Sequence, residues 1–150
     1  MNIYLDTSAL LKYYVSERGS DEVSEAVHRA AVTGTALITR TEMVAAFAKS
    51  VRMRVLPEAG AQEKLRRFFS DWHTITKVPL DEQLVTLAGE LAWEHGLRGY
   101  DAVHLASALT WRRLMREPIT LAVFDRKLWL AAGAVGLVPF PADLNPFLSP

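Results

Sequence analysis

Short apolar runs alternate along the chain with longer segments whose apolar positions recur every three or four residues. The first kind of pattern belongs to buried strands and the second to amphipathic helices. Strands are predicted at Ile3-Tyr4-Leu5, Ala36-Leu37-Ile38, 74–78, 121–124 and Leu137-Val138, and helices over 8–16, 20–33, 40–54, 58–71, 81–95, 100–116 and 126–132. In the segment 81–95, Leu84, Leu87, Ala88, Leu91 and Ala92 form one apolar stripe that must pack on something. Ser20 and Asp81 are placed to cap helices, Pro57 suits a first turn, and Gly34 and Gly96 fall where a left-handed C-terminal cap is wanted. Strands that alternate with helices predict an α/β fold, a three-layer α/β/α sandwich around a short, mainly parallel sheet. The 150 residues suit one such domain, spanning 1–150.

Composition narrows the chemistry. Half the residues are hydrophobic and 23% are charged, which suits a packed core. Cysteine is absent, so disulfides, thiolate zinc sites, iron–sulfur clusters and cysteine nucleophiles are excluded. The first residues carry no basic stretch followed by an apolar one, and no apolar window reaches span length, so a cytoplasmic location with no membrane partner is expected. Seventeen basic residues balance seventeen acidic ones, leaving no global field to pull in nucleic acid. The local basic clusters, such as Lys64, Arg66 and Arg67, read as solvated helix faces.

The acids stand out by position. Asp6 follows the first predicted strand, Glu42 lies in the first turn after the second, and Asp125 follows the fourth. In a doubly wound sheet such junctions share the edge where ligands bind. Asp101 opens a helix after Gly96-Leu97-Arg98-Gly99-Tyr100 and reaches the same edge if that helix returns there. An acid at a helix start is also what the exposed N–H groups and the helix dipole favour, so each acid alone reads equally as a cap. Thr39-x-x-Glu42 even matches a capping box.

Taken together, the stretches Tyr4-Leu5-Asp6-Thr7-Ser8-Ala9-Leu10-Leu11-Lys12, Thr41-Glu42-Met43, Gly99-Tyr100-Asp101-Ala102-Val103-His104-Leu105-Ala106-Ser107-Ala108 and Phe124-Asp125-Arg126-Lys127-Leu128 say more. Their order and spacing resemble the PIN-domain nucleases, most closely the toxin ribonucleases of the VapC type. The resemblance covers nearly the whole chain. It implies that Asp6, Glu42, Asp101 and Asp125 are the catalytic, metal-binding acids, with Ser8 matching the hydroxyl that supports the first of them and Thr7 beside it. It further implies hydrolysis of RNA to a 5′-phosphate and a 3′-hydroxyl, a homodimer, and inhibition by a cognate antitoxin protein. One departure is visible: many relatives place Thr or Ser where this chain has Val123.

The chemistry is coherent in its own right. Clustered carboxylates repel one another, and a divalent cation resolves the repulsion. Hard oxygen ligands, with neither Cys nor a zinc-spaced His pair, suit Mg²⁺ or Mn²⁺. Arg98, Tyr100 and Arg126 are candidate contacts to the RNA, by phosphate pairing or base stacking. His104 reads as a packed side chain, and Trp72, Trp93, Trp111 and Trp129 as core or interface anchors. The apolar excess of 8–16 and 40–54 fits either a partner groove or a thick core. Two readings compete with the nuclease: a catalytically weak module of the same fold that binds protein or RNA, and a phosphotransfer domain with Asp6 as acceptor. The latter wants a second Asp where Ser8 stands.

Overall fold

The computed structural model describes residues 1–149. Within them five strands form one all-parallel sheet: β1 (Asn2–Leu5), β2 (Val32–Ala36), β3 (Thr76–Val78), β4 (Ile119–Ala122) and β5 (Val138–Phe140), in the order β3-β2-β1-β4-β5. Seven α-helices accompany the sheet, besides two short 3-10 turns: α1 (Thr7–Tyr14), α2 (Ser20–Arg29), α3 (Thr39–Arg52), α4 (Glu58–Asp71), α5 (Glu82–His95), α6 (Gly99–Met115) and α7 (Arg126–Ala134).

Strand side chains alternate between faces, and β1 shows the consequence. Ile3 and Leu5 pack with α1 to α4, whereas Tyr4 packs with α5, α6 and α7. All four residues of β1 are buried, as parallel strands covered on both faces must be. The three-layer sandwich is therefore present. The chain winds outward from β1 through β2 to β3, then returns to the other side of β1 as β4. That reversal leaves a crevice between the carboxyl ends of β1 and β4.

The second strand departs from expectation. It occupies Val32–Ala36, and Leu37 and Ile38 are partly exposed residues leading into α3. Its polar Val-Thr-Gly-Thr-Ala sequence carries no apolar signal, because Gly34 supplies space in place of a side chain. The Trp111 ring of α6 fills that space, and a Cβ on Gly34 would lie 2.8 Å from its Cζ3. Gly34 is thus not a helix cap, and the helix preceding it ends at Arg29. Of the other local signals, Asp81 caps α5 through Leu84 N and Gly96 ends α5 in the left-handed region. Gly19, and not Ser20, holds the cap position of α2.

Thr39 also departs from its expected role. It lies inside α3, fully buried, with its hydroxyl on Thr35 Oγ1, so no capping box forms with Glu42. Trp111 is a core residue, but Trp93 is 93% exposed. Leu10, Tyr14, Met43 and Phe47 are buried, and Leu11, Tyr13 and Val15 pack against the same cluster, so a thick core accounts for most of the apolar excess in α1 and α3. Among the described residues no helix is long and apolar enough to cross a membrane.

Candidate active site

The end of β1 runs directly into α1, and Asp6 is the junction. Its backbone is extended, and its Oδ1 accepts from Ala9 N at 2.8 Å and from Ser8 Oγ at 2.9 Å. The fourth strand ends at Ala122 and not at Phe124 as expected, so Asp125 stands three residues beyond β4, where its Oδ2 accepts from Leu128 N at 3.0 Å as the cap of α7. Both acids do cap helices, yet capping uses one oxygen of each. Ser8 and Ala9 both donate to Oδ1 of Asp6, and the residue lines the crevice. Asp101 is no cap: Arg98 holds that position in α6, and Asp101 lies buried in the first turn.

Asp6, Asp101 and Asp125 line one cleft of about 300 Å³ at the switch point, together with Ser8, Lys12, Arg98 and Tyr100. Glu42 does not line this cleft. Its Oε1 accepts from Thr7 Oγ1 at 2.7 Å and lies 2.9 Å from Nε2 of His104. His104 is buried, and its Nδ1 shares a 2.8 Å hydrogen bond with the Tyr4 hydroxyl. A Tyr4 hydroxyl that donates to Nδ1 leaves Nε2–H to donate to Glu42. The fourth acid is thus tied to the cleft wall through Thr7 and to the core through His104 and Tyr4.

Burial sets the electrostatics. Desolvation raises the Asp6 carboxyl above its ordinary value, against the opposing pull of His104, Ala9 N–H and Ser8, and the charge of Asp101 adds to the rise. Asp101 is also raised, first by burial, with Arg98 opposing and Asp125 contributing. Burial pulls Glu42 upward too, but hydrogen bonds from His104 and Thr7 outweigh it and the net shift is downward.

Of the expected substrate contacts, Arg98 is already engaged, with Nε 3.0 Å from Asp101 Oδ2 and an Nη nitrogen 3.4 Å from Asp125 Oδ1. Tyr100 is half exposed at the cleft, 4.8 Å beneath the Arg98 guanidinium. Arg126 is exposed and lines a separate hollow with Trp129 and Leu144. Sequence reading overlooked Lys12, which lines the cleft while bonding Glu17 Oε1 and Arg18 O. Its signal was its position one helical turn after Ser8. Tyr4 was overlooked as well, and nothing in a buried strand residue announces a hydroxyl aimed at a distant histidine.

The PIN domain family matches residues 3–132. This chain belongs to the PIN-domain family. Relatives of this PIN-domain chain include two Mycobacterium tuberculosis proteins. Ribonuclease VapC45 is 34% identical over 145 residues, covering 96% of this chain and 98% of the relative. Ribonuclease VapC47 is 31% identical over 138 residues, covering 91% and 93%. Solved structures share the fold at lower identity. A toxin–antitoxin complex from Klebsiella pneumoniae superposes with a TM-score of 0.62 at 20% identity, covering 91% of this chain and 95% of that one. FitAcB from Neisseria gonorrhoeae gives 0.63 at 18% identity, covering 92% and 96%.

The donor set of this PIN-domain chain fits a hard divalent cation. Asp6 and Asp101 are 4% exposed, carry no thiolate or free imidazole beside them, and are disfavoured as anions first by burial and then by a neighbouring carboxylate, Asp101 for Asp6 and Asp125 for Asp101. Among the described residues no three His, Cys, Asp or Glu side chains lie close enough together to hold a metal ion by themselves. An ion there would draw part of its shell from water, as Mg²⁺ commonly does.

Proposed function

We propose that this chain is a metal-dependent endoribonuclease, the toxin of a toxin–antitoxin pair, acting through Asp6, Asp101 and Asp125, with Glu42 completing the acidic set. The observation that carries the reading is the pair of buried carboxylates, Asp6 and Asp101, opening on one cleft at the β1/β4 switch point. Burial raises the cost of ionising both acids, and a neighbouring carboxylate adds to it, Asp101 for Asp6 and Asp125 for Asp101, which a structural role does not require. The ribonuclease relatives add support along nearly the full length of the chain.

Each residue has a task in this reading. Asp6 and Asp101 would hold Mg²⁺ or Mn²⁺, and Ser8 fixes the rotamer of Asp6 through its 2.9 Å bond. A bound divalent ion would supply Lewis acidity to the phosphodiester and lower the pKa of an attacking water. Lys12 and Arg98 put positive charge on the cleft wall, where the phosphate backbone of an RNA would pass. Tyr100 offers a half-exposed ring on which a base can stack. Thr7 and His104 hold Glu42 in one orientation, and Tyr4 holds His104.

The partners belong to the same reading. A cognate antitoxin finds support in a solved neighbour of the same fold that is a toxin–antitoxin complex, and a homodimer is part of the same proposal. The test is cleavage of single-stranded RNA by the purified chain with Mg²⁺ or Mn²⁺. Cleavage that leaves 5′-phosphates, stops with chelator and is lost in Asp101→Asn is expected; metal-independent cleavage, or full activity in Asp101→Asn, overturns the assignment. The engagement of Asp101 and Asp125 by Arg98 favours a second reading, a binding module without catalysis. RNA that is bound but left intact under every metal condition would favour that reading.

A further inference from the structure

An arginine in the middle of an acidic cleft invites a question of charge. Arg98 is 62% exposed along its side chain, so a single surface ion pair would be expected to hold it only weakly. It has three attachments. Nε meets Asp101 at 3.0 Å, an Nη nitrogen meets Asp125 at 3.4 Å, and the guanidinium lies 4.8 Å over the Tyr100 ring. Its two carboxylates come from different elements, the first turn of α6 and the cap of α7, and the planar fork spans them as a point charge could not. Lys12, the other cation of the cleft, is bound instead to Glu17 and Arg18 O.

We propose that Arg98 is the built-in second cation of this centre: it holds the ground between Asp101 and Asp125, so that the chain takes up one divalent ion per site and not two. The inference rests on the metal-dependent reading above. Charge balance agrees with it. Three carboxylates line the cleft, Arg98 neutralises one charge while the charge of Lys12 is matched by Glu17, and the two that remain match a single divalent ion. In two-ion phosphodiesterases the second ion, about 4 Å from the first, steadies the leaving oxygen. Here the guanidinium is placed to do so, since it is always charged and presents N–H donors to phosphoryl oxygens.

The experiment counts Mn²⁺ per chain by calorimetry and by electron paramagnetic resonance, on wild type and on Arg98→Gln, with a thermal melt to confirm that the variant is folded. One ion is expected in wild type and two in Arg98→Gln. Two ions in wild type, or one in both proteins, overturns the role of Arg98 while leaving the metal-dependent reading intact. No bound ion in either overturns both. Should Arg98→Gln fail to fold, wild type alone decides: spectra of isolated Mn²⁺ at saturation support the proposal, and the spin-coupled signal of a close Mn²⁺ pair refutes it.

Discussion

Replacing Asp6 with asparagine separates the two duties of that residue. As the cap of α1, Asp6 needs only an acceptor for Ala9 N–H and Ser8 Oγ, and the side-chain oxygen of Asn provides one. Losing a cap altogether, as in Asp6→Ala, costs about 1 kcal/mol, or about 3 °C in Tm for a chain of this size. Asp6→Asn should escape that loss. It should also gain, because burial disfavours the carboxylate and the neutral amide carries no such penalty. As a metal ligand, by contrast, an amide oxygen lacks the charge that draws Mg²⁺, and cleavage should fall by orders of magnitude. Melting curves recorded in chelator, beside RNA cleavage in Mg²⁺, test both halves at once. Asp6→Asn melting several degrees below wild type would refute the capping and burial argument, and cleavage at the wild-type rate would refute the ligand assignment.

Three further outcomes follow from the same geometry. Gly34→Ala should lose about 1–3 kcal/mol in denaturant unfolding, because its Cβ would press on the Trp111 ring between β2 and α6; an unchanged midpoint would show that the ring yields freely. Tyr4→Phe should cost about 1–3 kcal/mol by leaving a buried His104 nitrogen without a partner, and a neutral result would remove Tyr4 from the support of Glu42. Stability should also depend on pH in opposite senses at two places. Asp6 and Asp101 are raised on folding, so their contribution is full in acid and is lost as pH climbs through their elevated values. The double variant Asp6→Asn, Asp101→Asn should therefore match wild type in mild acid and exceed it toward neutrality in chelator. Glu42 is lowered, so its contribution holds above its ordinary value and fades as pH falls through the depressed one, and Glu42→Gln should cost stability at neutral pH and less in acid. Differences that do not vary with pH would refute both assignments.

Apolar periodicity and the strand–helix alternation were enough to predict the layered α/β architecture and six of the seven helices nearly to their ends, because those patterns are local. β2 was misplaced because its burial comes from a tryptophan on α6, far along the chain, settling onto a glycine. The same holds at the site. The positions of Asp6 and Asp125 at strand ends are written in the sequence, since a junction acid must lie at the carboxyl edge of a parallel sheet.

Tertiary structure alone decided how the acids divide their work. Only the return of α6 to the sheet brings Asp101 beside Asp6, turns Glu42 away toward His104 and Thr7, and lays Arg98 across Asp101 and Asp125. The distinction is physical: the residue types and their spacing along strands and helices are properties of short segments, whereas shared burial, mutual charge and hydrogen bonds between residues as distant as Tyr4 and His104 exist only once the layers have closed.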